Sequence, residues 1–307
     1  MSTELSVVIP AYNEEENIEP LADEIVKVLQ GKQYEIIFID DGSTDSTTER
    51  VIALNKKNKN IHLIQFRKNF GQTAAMDAGF KHAKGKIVIP MDADMQNDPA
   101  DIPRMLSELQ NHDAVVGWRK NRADGFFKKF FSKIANFFRK RLTGEKIHDS
   151  GCTLRVIRKE ALNGLDLYGE MHRFIPSLLM WKGFDVGEVI VRHRPRHSGK
   201  TKYNFKRLLK GFLDILVIKF WTKYSTRPIH LFGGLGLFFS FLGVAMGIYL
   251  VALKVLTGAS LANRPLLLLA VLLVVLGTQF VLFGFMADIL VKTHYKGQTS
   301  YSIKRTL

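Results

Sequence analysis

The chain has 307 residues, 46% hydrophobic and 24% charged, with a formal net charge of +15. That length points to about two domains. Its single cysteine, Cys152, excludes an internal disulfide and fits a reducing compartment for the folded part.

The N-terminus, Met1-Ser2-Thr3-Glu4, lacks the basic region and apolar core of a signal peptide, so the folded part is expected to stay in the cytoplasm. Short apolar runs then alternate with helical patterns. Strands are expected at Leu5–Pro10, Glu35–Asp40, Ile61–Phe66, Lys86–Met91 and Ala114–Gly117. Helices are expected at Glu14–Leu29, Asp45–Lys56, Gln72–Ala83 and Asp101–Gln110. This alternation predicts an α/β fold, Rossmann-like, with a mostly parallel sheet and helices on both faces. Ligands of such open sheets bind at the carboxyl ends of the strands.

The charge is concentrated further along. Segment 117–146 carries ten Lys or Arg against two acids, and segment 192–227 carries eleven against one. Each holds an amphipathic stretch. In the first, 126–142, Phe126, Phe127, Phe130, Phe131, Ile134, Phe137, Phe138 and Leu142 fall at helical spacing. In the second, 205–224, Leu208, Leu209, Phe212, Leu213, Leu216 and Phe220 do so. Basic helices rich in Phe suit the headgroup layer of an anionic membrane, with an ordinary core-facing helix as the competing reading.

Residues 230–253 and 266–287 contain no charged side chain. Each is long enough to cross a hydrocarbon core of ~30 Å, which takes about 20 residues. With a short connector they predict a two-helix transmembrane hairpin within 229–292, its second helix running to about 291. Lys and Arg crowd the stretch before the first span, and Lys292, Lys296, Lys304 and Arg305 follow the second. Only Lys254 and Arg264 lie between, so both termini, including a tail at 293–307, are expected in the cytoplasm. The soluble domain is expected to run from 1 to 225.

Polar clusters close the first four strands. They are Pro10-Ala11-Tyr12-Asn13-Glu14, Asp40-Asp41-Gly42-Ser43-Thr44-Asp45, Arg67-Lys68-Asn69-Phe70-Gly71-Gln72 and Met91-Asp92-Ala93-Asp94-Met95-Gln96. Parallel strands bring all four to one rim. Carboxylates two apart on an extended segment point the same way, so Asp92 and Asp94 can address one hard cation that also holds a diphosphate. Asp41 can accept from a base N–H or a ribose hydroxyl, and Tyr12 offers a ring for stacking. Alone, Asp-x-Asp reads first as a solvated turn, and Asp-Gly-Ser-Thr-Asp equally as a turn with a helix cap. Neither a Walker-type loop nor Gly-x-Gly-x-x-Gly occurs.

Together the first, second and fourth clusters resemble family 2 glycosyltransferases of GT-A fold. The closer match is to the branch that loads sugars onto polyprenyl phosphates, including dolichyl-phosphate mannose synthases and bactoprenol glucosyltransferases. Asn69-Phe70-Gly71-Gln72, Asp149-Ser150-Gly151-Cys152 with Arg155, His172-Arg173-Phe174-Ile175-Pro176 and Arg196-His197-Ser198-Gly199-Lys200-Thr201-Lys202-Tyr203 fit the same branch. The likeness covers about residues 5–225, and a two-span tail looks like the bacterial glucosyltransferase type.

The resemblance implies roles by matched position. Pro10, Tyr12, Glu14 and Asp41 contact the nucleotide. Asp92, Ala93 and Asp94 contact the nucleotide sugar, with Asp94 and Gln96 nearest a Mg²⁺ or Mn²⁺ and Asp92 supporting. Arg119 reaches a phosphate of donor or acceptor. Arg196 and Lys202 neutralise the departing diphosphate. Asp149 is either a base or positioning carboxylate near the sugar, or the cap of a turn. His172 and Arg173 either line the sugar and acceptor side or make structural helix contacts. Arg139 and Lys140 are candidates for the acceptor phosphate.

The implied reaction is an inverting transfer of one sugar, with UDP-glucose the first expected donor and GDP-mannose, UDP-galactose and a UDP-aminopentose as alternatives. The acceptor is undecaprenyl or another polyprenyl phosphate at the cytoplasmic face of a bacterial inner membrane. A processive synthase would need more spans and Gln-x-x-Arg-Trp, neither of which is visible. A non-catalytic membrane or nucleic-acid binder would leave the four polar strand ends unexplained. The expected partners are therefore donor, lipid acceptor and membrane, without nucleic acid. Gly-containing spans also permit packing between protomers as a homo-oligomer.

Overall fold

The computed structural model describes residues 3–120, 147–165, 167, 169–195, 220, 224, 228–258, 260–261 and 265–294. The chain divides into two compact units, Met1–Ile215 and Leu216–Leu307.

The first unit is built on a seven-stranded sheet. Its strands are β1 (Leu5–Ala11), β2 (Tyr34–Asp40), β3 (Ile61–Gln65), β4 (Ile87–Pro90), β5 (Ala114–Trp118), β6 (Arg155–Arg158) and β7 (Val186–Ile190), in spatial order β3-β2-β1-β4-β6-β5-β7. β1 pairs in parallel with β2 and β4, and β2 with β3. Val7, Val8 and Ile9 of β1 are all fully buried, because helices cover both faces of this central strand. One face packs against α1 (Glu15–Val28), α2 (Thr47–Lys57) and α4 (Ile102–Glu108), through Ile18, Leu21, Ile25, Val51 and Met105. The other packs against α3 (Gln72–His82), α5 (Lys159–Leu162) and α6 (Ile175–Trp181), through Met76, Phe80, Ala161, Ile175 and Leu178.

The expected α/β alternation therefore holds through β5, with ends shifted by at most two residues. The last two strands have no counterpart among the expected elements. β6 wedges between β4 and β5 and runs antiparallel to both, while β7 returns parallel to β5. β6 spans only four residues with an arginine at each end, so no alternating pattern announces it. β7 contains Gly187 and Glu188 and has the same difficulty.

The second unit holds α7 (Ile229–Thr257) and α8 (Pro265–His294). Both have segments long and apolar enough to cross a membrane, of 29 and 27 residues. At 1.5 Å per residue either covers a ~30 Å core with turns to spare. They differ from core helices of a soluble protein in leaving Leu237, Phe241, Ile248, Val255, Leu268 and Leu282 exposed. Glycines set their mutual distance. A Cβ on Gly236 would lie 2.5 Å from the Gly277 carbonyl oxygen, and one on Gly243 would lie 2.7 Å from that of Ala270. Small residues at such contacts let helix backbones approach closely in lipid. The expected amphipathic helices 126–142 and 205–224 lie outside the described residues, except for Phe220 and Tyr224.

Candidate functional site

The carboxyl ends of β1 to β4 meet at one rim, and buried carboxylates stitch their loops together. Asp40 is fully buried; it accepts from the Ser43 amide at 2.9 Å and from the Thr48 hydroxyl. Asp41 receives the backbone amides of Phe70 at 2.7 Å and Gly71 at 2.9 Å on its two oxygens, tying the β2 loop to the β3 loop. Gly42 sits where they touch. Its φ is +73°, and a Cβ there would lie 2.7 Å from the Asn69 amide nitrogen. The β1 loop joins through Asn13, whose side-chain oxygen accepts from the Thr44 amide at 2.8 Å. The Glu14 amide also donates to the Thr47 hydroxyl at 2.9 Å. Tyr12 is 43% exposed on this rim, Pro10 is half-buried, and the Glu14 carboxylate accepts from Asn17 at 2.6 Å.

The Asp92–Asp94 pair arises differently from its sequence expectation. β4 ends at Pro90, so a bend rather than strand alternation brings the two carboxylates together. Met95 completes the bend at φ +59°; it and Asn13, at φ +56°, are the non-glycine residues with positive φ among those described. Both lie at the rim, and such conformations persist only where the surroundings over-determine them. Asp92 accepts from the Gln72 side chain at 2.7 Å and from the Thr153 hydroxyl. Burial raises its carboxyl to about 6, Asp94 adds to the rise, and Thr153, Arg119 and Arg155 oppose it. Asp94 is buried and accepts from the Gln96 amide at 3.2 Å, while Ala93 between them is also buried.

Arg155 lies in the core beside this bend, 1% exposed. It donates to the carbonyls of His172 and Ser150, both at 2.9 Å, while its Nε has no partner. Burial lowers its pKa to about 10 against the pull of Asp92 and Asp149. Burial likewise pushes the Cys152 thiol up to about 11, so Cys152 is a protonated core residue that packs as a small hydrophobe.

Arg119 and Asp149 form a two-point ion pair, Nε to Oδ2 at 2.7 Å and Nη2 to Oδ1 at 3.0 Å. Burial opposes the charge on Arg119, and the Asp149 pair together with nearby negative charge, Asp92 included, outweighs it and holds the guanidinium above the ordinary arginine range. Glu188 on β7 holds the backbone beneath, accepting the amides of His148 and Asp149 at 2.9 Å each. The His148 ring stacks on Trp118 with centroids 4.3 Å apart. His172 is buried, its Nδ1 2.6 Å from the Thr73 hydroxyl, and Arg173 pairs with Glu170 at 2.8 Å.

The structure thus gathers Pro10, Tyr12, Glu14, Asp41, Asp92, Ala93, Asp94 and Gln96 at the carboxyl ends of neighbouring strands, and pairs Arg119 with Asp149. Arg139, Lys140, Arg196 and Lys202 lie outside the described residues. Sequence reasoning gave no role to the side chains of Gln72, Thr153 or Glu188. The first two stand in or beside quoted motifs, whereas nothing local marks Glu188. Among the described residues no cluster of three or more His, Cys, Asp or Glu could hold a metal. Two carboxylates and an amide fit a Mg²⁺ or Mn²⁺ whose remaining positions are filled by phosphate and water. A cavity of ≈ 400 Å³ lined by Leu5, Ile87, Leu106 and Arg158 lies at the opposite end of β1 and β4, away from this chemistry.

Residues 6–165 match the model for glycosyl transferase family 2. A dodecaprenyl-phosphate galacturonate synthase of Rhizobium johnstonii is 38% identical over 97% of this chain and 91% of its own length. An undecaprenyl-phosphate 4-deoxy-4-formamido-L-arabinose transferase of Salmonella paratyphi B is 35% identical over 92% and 87%. Among solved structures, glucosyl-3-phosphoglycerate synthase from Mycobacterium tuberculosis in complex with Mn²⁺ and UDP-glucose aligns with a TM-score of 0.52. It is 21% identical over 71% of this chain and 79% of that one, a likeness of fold alone. By its matched domain and by relatives that span nearly its whole length, the chain belongs to glycosyl transferase family 2.

Proposed function

We propose that this protein transfers a single sugar from a nucleotide-sugar donor to a polyprenyl phosphate at the cytoplasmic face of a bacterial inner membrane. The observation that carries the reading is the Asp92–Asp94 bend. It lies on a rim shared with three other polar loops, in a chain that also holds two apolar helices of membrane-spanning length. The names of two relatives, both acting on polyprenyl phosphates, support the acceptor class.

Asp94 and Gln96 would hold a Mg²⁺ or Mn²⁺, with Asp92 supporting, and the cation would neutralise charge on the departing diphosphate. Pro10, Tyr12 and Glu14 flank the nucleotide. Asp41 shapes its pocket by gripping the Phe70 and Gly71 amides. The acceptor phosphate is already ionised near neutral pH, so its attack on the anomeric carbon needs positioning more than a strong base. A single displacement inverts that centre. Asp149 orients Arg119 towards a phosphate, and Arg196 and Lys202 add positive charge where the diphosphate leaves. A polyprenyl tail stays in the bilayer, which accounts for a membrane anchor on the enzyme.

UDP-glucose is the donor expected from the two-span tail, and the relatives' names add galacturonate and 4-deoxy-4-formamido-L-arabinose as competitors. The test is the purified full chain with undecaprenyl phosphate, Mn²⁺ and a panel of UDP- and GDP-sugars. One labelled sugar per lipid is expected, from one donor above the rest. Polymer formation, or no transfer from any donor, would overturn the reading.

A further inference from the structure

We infer that Arg194 is a positioning residue for the acidic bend, its side chain acting through Asp98. The inference rests on the proposed donor role of Asp94 and Gln96. After β7 the chain doubles back along residues 96–101. The Arg192 amide donates to Asp101 at 2.7 Å, Asn97 and His193 form an antiparallel bridge, and the Arg194 amide donates to the Gln96 carbonyl at 2.9 Å. The Arg194 side chain then joins two further elements. Its Nη1 meets both Glu24 oxygens on α1, at 2.8 and 3.0 Å, and its Nη2 meets Asp98 Oδ1 at 2.8 Å.

Asp98 is 4% exposed and also accepts the Ala100 amide at 3.0 Å, which fixes the turn at Pro99–Asp101. The bend is therefore held on both sides. Gln72 and Thr153 hold Asp92 before it; after it the Arg194 backbone amide holds Gln96 and the Arg194 side chain holds Asp98. Between these anchors Met95 sits at φ +59°, a conformation that relaxes unless both sides are fixed. Arginine suits this place because a planar fork can reach two carboxylates at once, which an ammonium cannot do with the same geometry. The side chain is partly exposed, at 36%, and nothing in the proposed chemistry uses its charge directly. In sequence Arg196 follows two residues later.

The test uses the detergent-solubilised full chain and the variants Arg194→Ala, Arg194→Lys and Glu24→Gln. Three quantities are read: the thermal midpoint, Mn²⁺-dependent UDP binding by calorimetry, and donor and acceptor KM with kcat. Arg194→Ala is expected to weaken Mn²⁺-dependent UDP binding about tenfold or more while leaving the polyprenyl-phosphate KM within about twofold. Arg194→Lys and Glu24→Gln are expected to lose an intermediate amount. A folded Arg194→Ala protein with unchanged UDP affinity, even with a lowered thermal midpoint, would overturn the inference. If that variant does not fold, unchanged affinity in both Arg194→Lys and Glu24→Gln overturns it. Failure of the wild type to bind UDP with Mn²⁺ or transfer any sugar has a different signature and sinks the functional reading, and this inference with it.

Discussion

The Arg119 guanidinium closes on both oxygens of Asp149, at 2.7 and 3.0 Å, with each side chain little more than a tenth exposed. The residues lie 30 apart in sequence, and the pair exists because β5 and the loop before β6 converge. Asp149 is therefore engaged with a fixed cation, and a positioning role suits it better than a base that must take up a proton. Arg119→Lys keeps the charge and loses the fork. Turnover is expected to fall by about 10- to 100-fold with fold retained, read as kcat/KM against circular dichroism. Arg119→Ala leaves a largely buried carboxylate without its cation and is expected to lower stability by about 3 kcal/mol, read by denaturant unfolding.

The raised Asp92 pKa has a definite pH signature. Its folded value of about 6 exceeds the ordinary 3.8, so the folded protein holds a proton that the unfolded chain has released. The stabilisation this gives the metal-free protein is fully present below about pH 4 and lost as pH rises through about 6. A cation at Asp94 and Gln96 favours ionised Asp92. Mn²⁺ affinity is therefore expected to fall by up to about tenfold per pH unit below about 6. Titrations between about pH 5 and pH 8 would show this, and Asp92→Asn should flatten the slope.

Asp94→Ala is expected to abolish metal-dependent turnover while leaving the fold intact, because Asp94 is proposed as the main carboxylate on the cation. Full activity in that variant, measured with and without chelator, would remove the metal assignment.

Gly42→Ala combines a Cβ 2.7 Å from the Asn69 amide with a φ of +73°. A loss of about 2 kcal/mol or more is expected, read as a lowered thermal midpoint. Because the displaced segment includes the Phe70 and Gly71 amides that Asp41 holds, UDP affinity should fall too.

The hairpin offers an internal control. A Cβ on Gly277 would meet the Gly236 carbonyl oxygen at 2.6 Å, whereas nothing lies within 4 Å of one on Gly234. Gly277→Leu is expected to lower the midpoint in detergent by about 5 °C or more, and Gly234→Leu to leave it within about 1 °C. Equal effects from the two would mean that close glycine packing does not hold these helices together.

Much of this protein is legible in one dimension. The apolar runs at Val7–Ile9 and Ile36–Ile39 mark strands covered on both faces, and helical spacing marks the elements between them. Their alternation alone brings Tyr12, Asp41, Gly71 and Asp94 to one rim. The uncharged runs at 230–253 and 266–287 declare two membrane-length helices by length and composition. These features depend on local periodicity, which reports how a residue faces its nearest neighbours.

Tertiary structure decided which charges meet. Arg155 reads as a surface residue by type, yet it is buried because the His172 and Ser150 carbonyls receive it. Asp92 and Asp94 read as strand alternation, yet the strand ends at Pro90 and the second carboxylate stands in a bend. Asp41 reads as an acceptor at the rim, and the structure adds two backbone amides from the neighbouring loop to its oxygens. Arg194 meets Glu24 across 170 positions of chain. Hydrogen bonds and ion pairs act over about 3 Å, so their partners are set by where distant loops pack, and no spacing within a single segment encodes that.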